Sequence, residues 1–337
     1  MTPARETPSN PGRPVPLLAL RDVAVRLPSA HGSEIAAVNG VSFAVGRGES
    51  LALVGESGSG KSMTALAILG LLPGAGRITG GRIYFDGRDL VGADALRAIR
   101  GRGIGMVFQD PTTSLNPVLT VGLQLTEGMR QHLTMDATAR RRRAIELLGL
   151  VGIPDPEIRV DSYPHEFSGG QRQRIVIAMA ISCEPGLLIA DEPTTSLDVT
   201  IQAQIVELLK GIQKKLGMAI LWITHDLALV AEIVDRVAVM YAGSIVEEAP
   251  VRELFRGARH PYTVGLMRAM PRTDARHAGG LNLLPIPGSP PDLSALPRGC
   301  AFAPRCAFVI EHCHEAKPAL GYVDDDRRSA CFRSEEL

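Results

Sequence analysis

Eight consecutive residues, Gly55-Glu56-Ser57-Gly58-Ser59-Gly60-Lys61-Ser62, have the types and order needed to wrap a row of phosphates. The pattern is G-x-x-x-x-G-K-[ST]. Its glycines let backbone N–H groups turn toward phosphate oxygens, the Lys61 ammonium can reach the outer phosphates of a nucleotide, and the Ser62 hydroxyl can hold Mg²⁺. An anion then rests at a helix N-terminus, where unpaired N–H groups favour negative charge. A second constellation is the apolar run Leu187-Leu188-Ile189-Ala190 ending in Asp191-Glu192. Asp191 can steady Mg²⁺, and Glu192, pointing elsewhere, can polarise a water for in-line attack on the terminal phosphate. Alone, such a strand end is equally a polar turn; the upstream phosphate loop makes it specific. Phe167-Ser168-Gly169-Gly170-Gln171 opens a further helix with a serine and two glycines. In isolation this is as well read as a plain cap. One ATP does not need two cradles in one chain, so the economical reading is that this one serves a nucleotide bound to another subunit, two chains sandwiching ATP between them.

The elements around these residues suit the roles. Ser50 to Val54 reads as a buried strand entering the loop and Met63 to Leu72 as an apolar helix leaving it. Leu17 to Val25 and Val41 to Val45 predict earlier strands, and Arg82 to Phe85 before Asp86-Gly87 predicts a strand and a turn. After the strand Ile104 to Phe108 a largely helical stretch, about 117 to 160, reads as an inserted subdomain. From Gly169 to Tyr241 helices alternate with strands at Leu187 to Ala190, Met218 to Ile223 and Arg236 to Met240. Such alternation predicts a parallel sheet covered by helices. Pro285 to Pro297 is a proline-rich linker.

A chain of 337 residues with 45% hydrophobic content can bury one large core plus an appendage. Thirty-six basic and 36 acidic residues cancel, which argues against a broad nucleic-acid surface. No apolar run approaches a membrane span, and Met1 to Pro16 is polar and proline-rich without a signal-peptide core, so a cytoplasmic location is expected. The basic run Arg140 to Arg143 points all round a helix axis and reads as a solvated surface. Of five cysteines, Cys183 stands alone, while Cys300, Cys306, Cys313 and Cys331 crowd the C-terminus. In a reducing compartment four such thiols suggest metal ligation before disulfides, and spacing does not choose between zinc, an iron–sulfur cluster and no metal. His312 and His314 flank Cys313 and are expected to point away.

The order of these motifs resembles the ATP-binding-cassette (ABC) ATPases. The phosphate loop, Gln109 after a strand, Phe167 to Gln171, Asp191-Glu192, Ser196-Leu197-Asp198 and Trp222-Ile223-Thr224-His225-Asp226 stand in the family's sequence, over residues 17 to about 250. The resemblance implies an α/β P-loop NTPase fold: a RecA-like core with an antiparallel β subdomain and a helical subdomain at about 110–180, the whole ATPase unit spanning 17–255 after a flexible tail, 1–16. It implies ATP and Mg²⁺ as cofactors, with Ser62, Gln109 and Asp191 at the metal. It also implies Glu192, His225 and Gln109 as the catalytic set, His225 on the γ-phosphate, and Asp198 crossing to the partner's site.

Phe108-Gln109-Asp110-Pro111 with Ser114-Leu115-Asn116-Pro117, Glu192 to Thr200, His260-Pro261-Tyr262-Thr263 and Gly299-Cys300 through Pro304-Arg305-Cys306 narrow the resemblance to ATPase subunits of oligopeptide and dipeptide importers. It then extends over 256–337 as their C-terminal extension and implies a [4Fe-4S] cluster on Cys300, Cys306, Cys313 and Cys331. The partners it implies are a second ABC ATPase, two integral permease subunits and an extracellular substrate-binding protein, with no nucleic acid. The chain would then sit on the cytoplasmic face of the inner membrane. Nickel chelates or glutathione are alternative solutes, and a soluble ABC ATPase acting on DNA or ribosomes is the rival class; the chain lacks the coiled-coil insert or second cassette common there. Two positions depart from the family: Leu27 stands where an aromatic ring usually stacks on adenine, and Phe167 where leucine is commoner.

Overall fold

The structure is a computed structural model, and it describes residues 15–29, 32–90, 93–195, 197–270 and 285–337. The expected tail falls outside the described residues except for Val15 and Pro16, and so does Ser196. Strand β1 (Leu18–Pro28) turns into β2 (Glu34–Val45), both longer than their apolar cores because each lends its backbone to the other along an antiparallel ladder. Strand β3 (Ser50–Val54) leads through the phosphate loop into α1 (Lys61–Leu69), which Gly70 stops at φ 61°. Strand β4 (Arg77–Phe85) reverses at Asp86-Gly87, both at positive φ, into β5 (Arg88–Asp89); two such residues give a turn whose twist matches a hairpin. These four outer strands make one antiparallel sheet, in the order β2-β1-β4-β5.

Helix α2 (Ala93–Ile99) precedes β6 (Ile104–Val107), after which the chain is helical: α3 (Pro111–Ser114), α4 (Val121–His132), α5 (Ala137–Leu150), α6 (Pro156–Arg159) and α7 (Gly169–Ala180). The expected alternation follows, as β7 (Leu187–Asp191), α8 (Val199–Leu216), β8 (Ala219–Thr224), α9 (Leu227–Ile233) and β9 (Arg236–Tyr241). Strands β9, β3, β8, β7 and β6 lie parallel in that order. Their faces are both buried: Leu51 and Leu53 pack toward α1 and the antiparallel sheet, Ala52 and Val54 toward the core that holds Trp222 and α8. Two covered faces explain why Ser50 to Val54 reads as an unbroken apolar run with no alternation.

Strand β10 (Ser244–Pro250) pairs antiparallel with β9 and is followed by α10 (Val251–Arg256) and α11 (Pro261–Arg268). The C-terminal residues do not stand apart. After α12 (His312–Glu315), β11 (Gly321–Tyr322) and β12 (Arg328–Ser329) extend the main sheet to eight strands, β12 pairing with β10. The proline-rich stretch is fastened as well, since the Ala36 N–H donates to the Leu293 carbonyl at 2.9 Å. The run Arg140 to Arg143 lies on α5, where Arg141 forks onto Asp161 and Arg143 reaches Glu184.

Candidate functional site: a phosphate loop facing three polar strand ends

The parallel strands end together, and their C-terminal ends carry the candidate residues. Between β3 and α1 the backbone turns through Gly55 at φ 156°, Gly58 at 78° and Gly60 at 104°. A Cβ on Gly55 would stand 2.1 Å from the Met240 carbonyl oxygen, and one on Gly60 2.3 Å from that of Ala37, so the loop can lie this close to its neighbours only without side chains there. Lys61 is buried and donates to the carbonyls of Gly55 (2.8 Å) and Glu56 (3.0 Å). Burial holds its ammonium below the usual lysine range, against the opposing pull of Glu192 and Asp191. The Ser59 hydroxyl is buried without a hydrogen-bond partner.

Ser62 donates to Asp191 at the end of β7 across 3.1 Å. Asp191 is 6% exposed, and burial raises its carboxyl above the ordinary range while the Ser62 bond works the other way. The next residue, Glu192, takes φ 46°, a left-handed conformation that costs a non-glycine residue about 1 kcal/mol or more. That turn swings its carboxylate away from Asp191 and into the company of three side chains. One oxygen accepts from Gln109 Nε2 (3.1 Å) and Thr195 Oγ1 (2.8 Å), and the other lies 3.2 Å from His225 Nδ1. Gln109 follows β6 and His225 follows β8, so neighbouring strands deliver the set. The arrangement can do what the residue types suggest: a cation beside Asp191, a proton acceptor at Glu192. Thr195 is absent from the sequence-based set; its place three residues after Glu192 was the available signal.

Ser168 caps α7: its hydroxyl accepts from the Gln171 N–H and the Gln171 side chain accepts from the Ser168 N–H. Among the described residues no hydrogen bond ties Ser168 to Gln171 to the phosphate loop. Gly169 and Gly170 instead lie against Leu197 and Ile201 at the start of α8, which Asp198 caps through the Ile201 N–H. Phe167 is buried under the Arg159 guanidinium. Leu27 leans on Gly76 and packs into the core with Leu72 and Ile78.

The four clustered cysteines line one small apolar cavity together with His260, Phe302, Phe308 and Phe332. Backbone N–H groups of Phe308 and Arg333 donate to the sulfurs of Cys306 and Cys331, and burial pushes the Cys331 thiol up to about 11. His312 turns instead to Glu315 and the Phe332 ring. Among the described residues no three His, Cys, Asp or Glu side chains stand close enough to hold a metal ion.

Two family models match, ABC transporter over residues 38–195 and the oligopeptide/dipeptide transporter C-terminal region over 246–313. The oligopeptide transport ATP-binding protein OppD of Bacillus subtilis is 52% identical, over 92% of this chain and 86% of its own. The chain belongs to the ABC transporter ATP-binding proteins. Within that family it is also 50% identical to the Bacillus subtilis dipeptide transport ATP-binding protein DppD, over 91% of this chain and 92% of the relative. Among solved structures, the dimeric post-hydrolysis ATP-binding cassette MJ0796, bound to ADP and Pi, superimposes with a TM-score of 0.62 at 29% identity, over 70% of this chain and 99% of that one. The ABC ATPase fold is therefore this chain's fold: P-loop core, antiparallel subdomain and helical part.

Proposed function

We propose that this ABC ATPase is the motor of a peptide importer, and the observation that carries the reading is the convergence of Gln109, Glu192 and His225 beside the Ser62–Asp191 pair. Proteins of this family are ATPases coupled to transport. In this reading Gly55 to Ser62 wraps the phosphates of ATP, which would satisfy the unpartnered Ser59 hydroxyl and draw the Lys61 ammonium off its two carbonyls. Ser62, Asp191 and Gln109 would hold Mg²⁺, whose chemistry is charge neutralisation and orientation of the phosphates. The buried carboxylate of Asp191, short of partners, fits a cation. Glu192 accepts the proton of the attacking water, and His225, on its other oxygen, orients it and meets the γ-phosphate.

The capped end of α7 supports a role across a dimer. Ser168, Gly169, Gly170 and Gln171 would face a nucleotide held by a second ATPase subunit, identical or paralogous, with Asp198 beside them. A groove of about 450 Å³ on the helical part, lined by Leu119, Leu123, Thr126, Arg130 and Val160, with Val118, Leu123 and Ile158 exposed, suits a cytoplasmic helix of one of two integral permease subunits. Among the described residues no helix is long and apolar enough to cross a membrane, which fits a peripheral place on the cytoplasmic face of the inner membrane. The names of the relatives favour oligopeptides or dipeptides, delivered by an extracellular substrate-binding protein, as the cargo.

We infer that the cysteine cavity would hold a [4Fe-4S] cluster, the group the family resemblance implies for these four residues. The four cysteines line one apolar space, and the sulfurs of Cys306 and Cys331 receive backbone N–H donors. Such a cluster would supply cross-linking, stapling the C-terminal region at four points.

Glu192→Gln tests the motor reading. The variant is expected to bind ATP as the wild type does and to hydrolyse it at least a hundredfold more slowly; undiminished hydrolysis would refute it.

A further inference from the structure

The first variable residue of the phosphate loop is gripped from the far end of the chain. Glu56 accepts two parallel hydrogen bonds from Arg305, Nη1 to Oε2 at 2.8 Å and Nη2 to Oε1 at 3.1 Å. The Arg305 side chain is 5% exposed and cannot drift: its Nε donates to the Pro287 carbonyl at 2.8 Å, Nη1 also donates to the Tyr241 hydroxyl, and the guanidinium lies by the Tyr241 and Phe302 rings. The backbone of Glu56 is held too, its N–H donating to the Tyr262 hydroxyl at 2.8 Å. Tyr262 is fully buried on α11 and its ring packs on Tyr241 and Phe302. Residues of the C-terminal region thus hold both the side chain and the backbone of one loop residue.

We propose that Arg305 is a positioning residue for nucleotide binding, fixing the phosphate loop through Glu56 and cancelling a carboxylate that would otherwise oppose an incoming triphosphate. The proposal rests on the reading of Gly55 to Ser62 as the phosphate site. A loop with three left-handed glycines loses much freedom on closing round a ligand, and an anchor made beforehand removes part of that cost. A two-pronged arginine–carboxylate pair supplies direction as well as charge, which a lysine cannot copy. Without Arg305 the loop would lose its anchor and present an unpaired negative charge beside the phosphates.

The test measures binding of a fluorescent ATP analogue with Mg²⁺, and steady-state ATP hydrolysis, on the full chain. Arg305→Met is expected to weaken binding about tenfold and Arg305→Lys about threefold. KM for ATP should rise by the same factors, with kcat falling less. Adding Glu56→Gln to Arg305→Met removes the unpaired charge and should restore binding to within about threefold of the wild type. A merely structural arginine would show no such recovery. Unchanged affinity in Arg305→Met, or a double variant no better than the single, overturns the proposal; if Arg305→Met does not fold, unchanged affinity in Arg305→Lys overturns it. Lys61→Ala separates the two readings: if it binds the analogue normally, the phosphate site itself is misassigned, whatever Arg305 does.

Discussion

Glu192 Oε1 and His225 Nδ1 stand 3.2 Å apart, the carboxylate only 16% exposed and the imidazole 62% exposed. Two strands that are neighbours in the sheet, β7 and β8, deliver one partner each, so the pair depends on the sheet's register more than on any loop. Ile223 donates no freedom here: its carbonyl accepts the Glu192 N–H at 2.9 Å, locking the left-handed turn in place.

His225→Ala leaves Glu192 with Gln109 and Thr195 but without its orienting partner. Hydrolysis is expected to fall by about ten- to a hundredfold, with ATP affinity changing much less. A loss of affinity with kcat unchanged would assign His225 to ground-state binding instead.

Lys61 carries a charge that its buried position disfavours. Burial lowers its pKa, so between that lowered value and about 10.5 the unfolded chain binds a proton that the folded chain has released. Stability then rises with pH across that window, and the full penalty applies below it. Lys61→Met should therefore raise the urea midpoint of the nucleotide-free protein and flatten the alkaline rise, while abolishing stabilisation by ATP. A lower midpoint would show that the two carbonyl bonds of Lys61 outweigh its desolvation.

Gly55→Ala places a methyl 2.1 Å from the Met240 carbonyl oxygen, a backbone atom that cannot step aside. A loss of about 2 kcal/mol or more in denaturant unfolding, together with lost ATP binding, is expected. A stable variant that binds ATP would mean the loop can be rebuilt around Met240.

Cys313→Ser probes the C-terminal cavity. If the cavity holds the proposed cluster, wild-type protein purified without oxygen should absorb visible light, and the variant should lose that absorption and melt at lower temperature. A colourless wild type holding stoichiometric zinc by elemental analysis would assign the cavity to zinc.

The proposed site residues were legible as a set from the sequence because each follows an apolar run or a glycine that fixes its place: Lys61 and Ser62 after β3, Gln109 after β6, Asp191 and Glu192 at the end of β7, His225 after β8. The parallel strands were legible for the same reason. Strand β10 was not, since Glu247 and Glu248 interrupt its apolar run with two charges. In the fold both are buried: Glu248 between Arg236 and Arg328, Glu247 receiving the N–H groups of Arg259 and His260. Arg328 lies 80 residues from Glu248, and Arg305 lies 249 from Glu56. No local pattern encodes a partner at such distances, so the C-terminal region read as an appendage behind a linker.

The pairing of β12 with β10 closes part of an otherwise open sheet edge. A seven-residue antiparallel strand left bare at the rim of a sheet is a template onto which other chains can pair. Here β12 and β11 cover part of that rim, and the last strand on that side is two residues long, too short to recruit a neighbour. Chains cut before Arg328 would uncover the rim, and they should precipitate through strand-to-strand association even where their ATP site is complete.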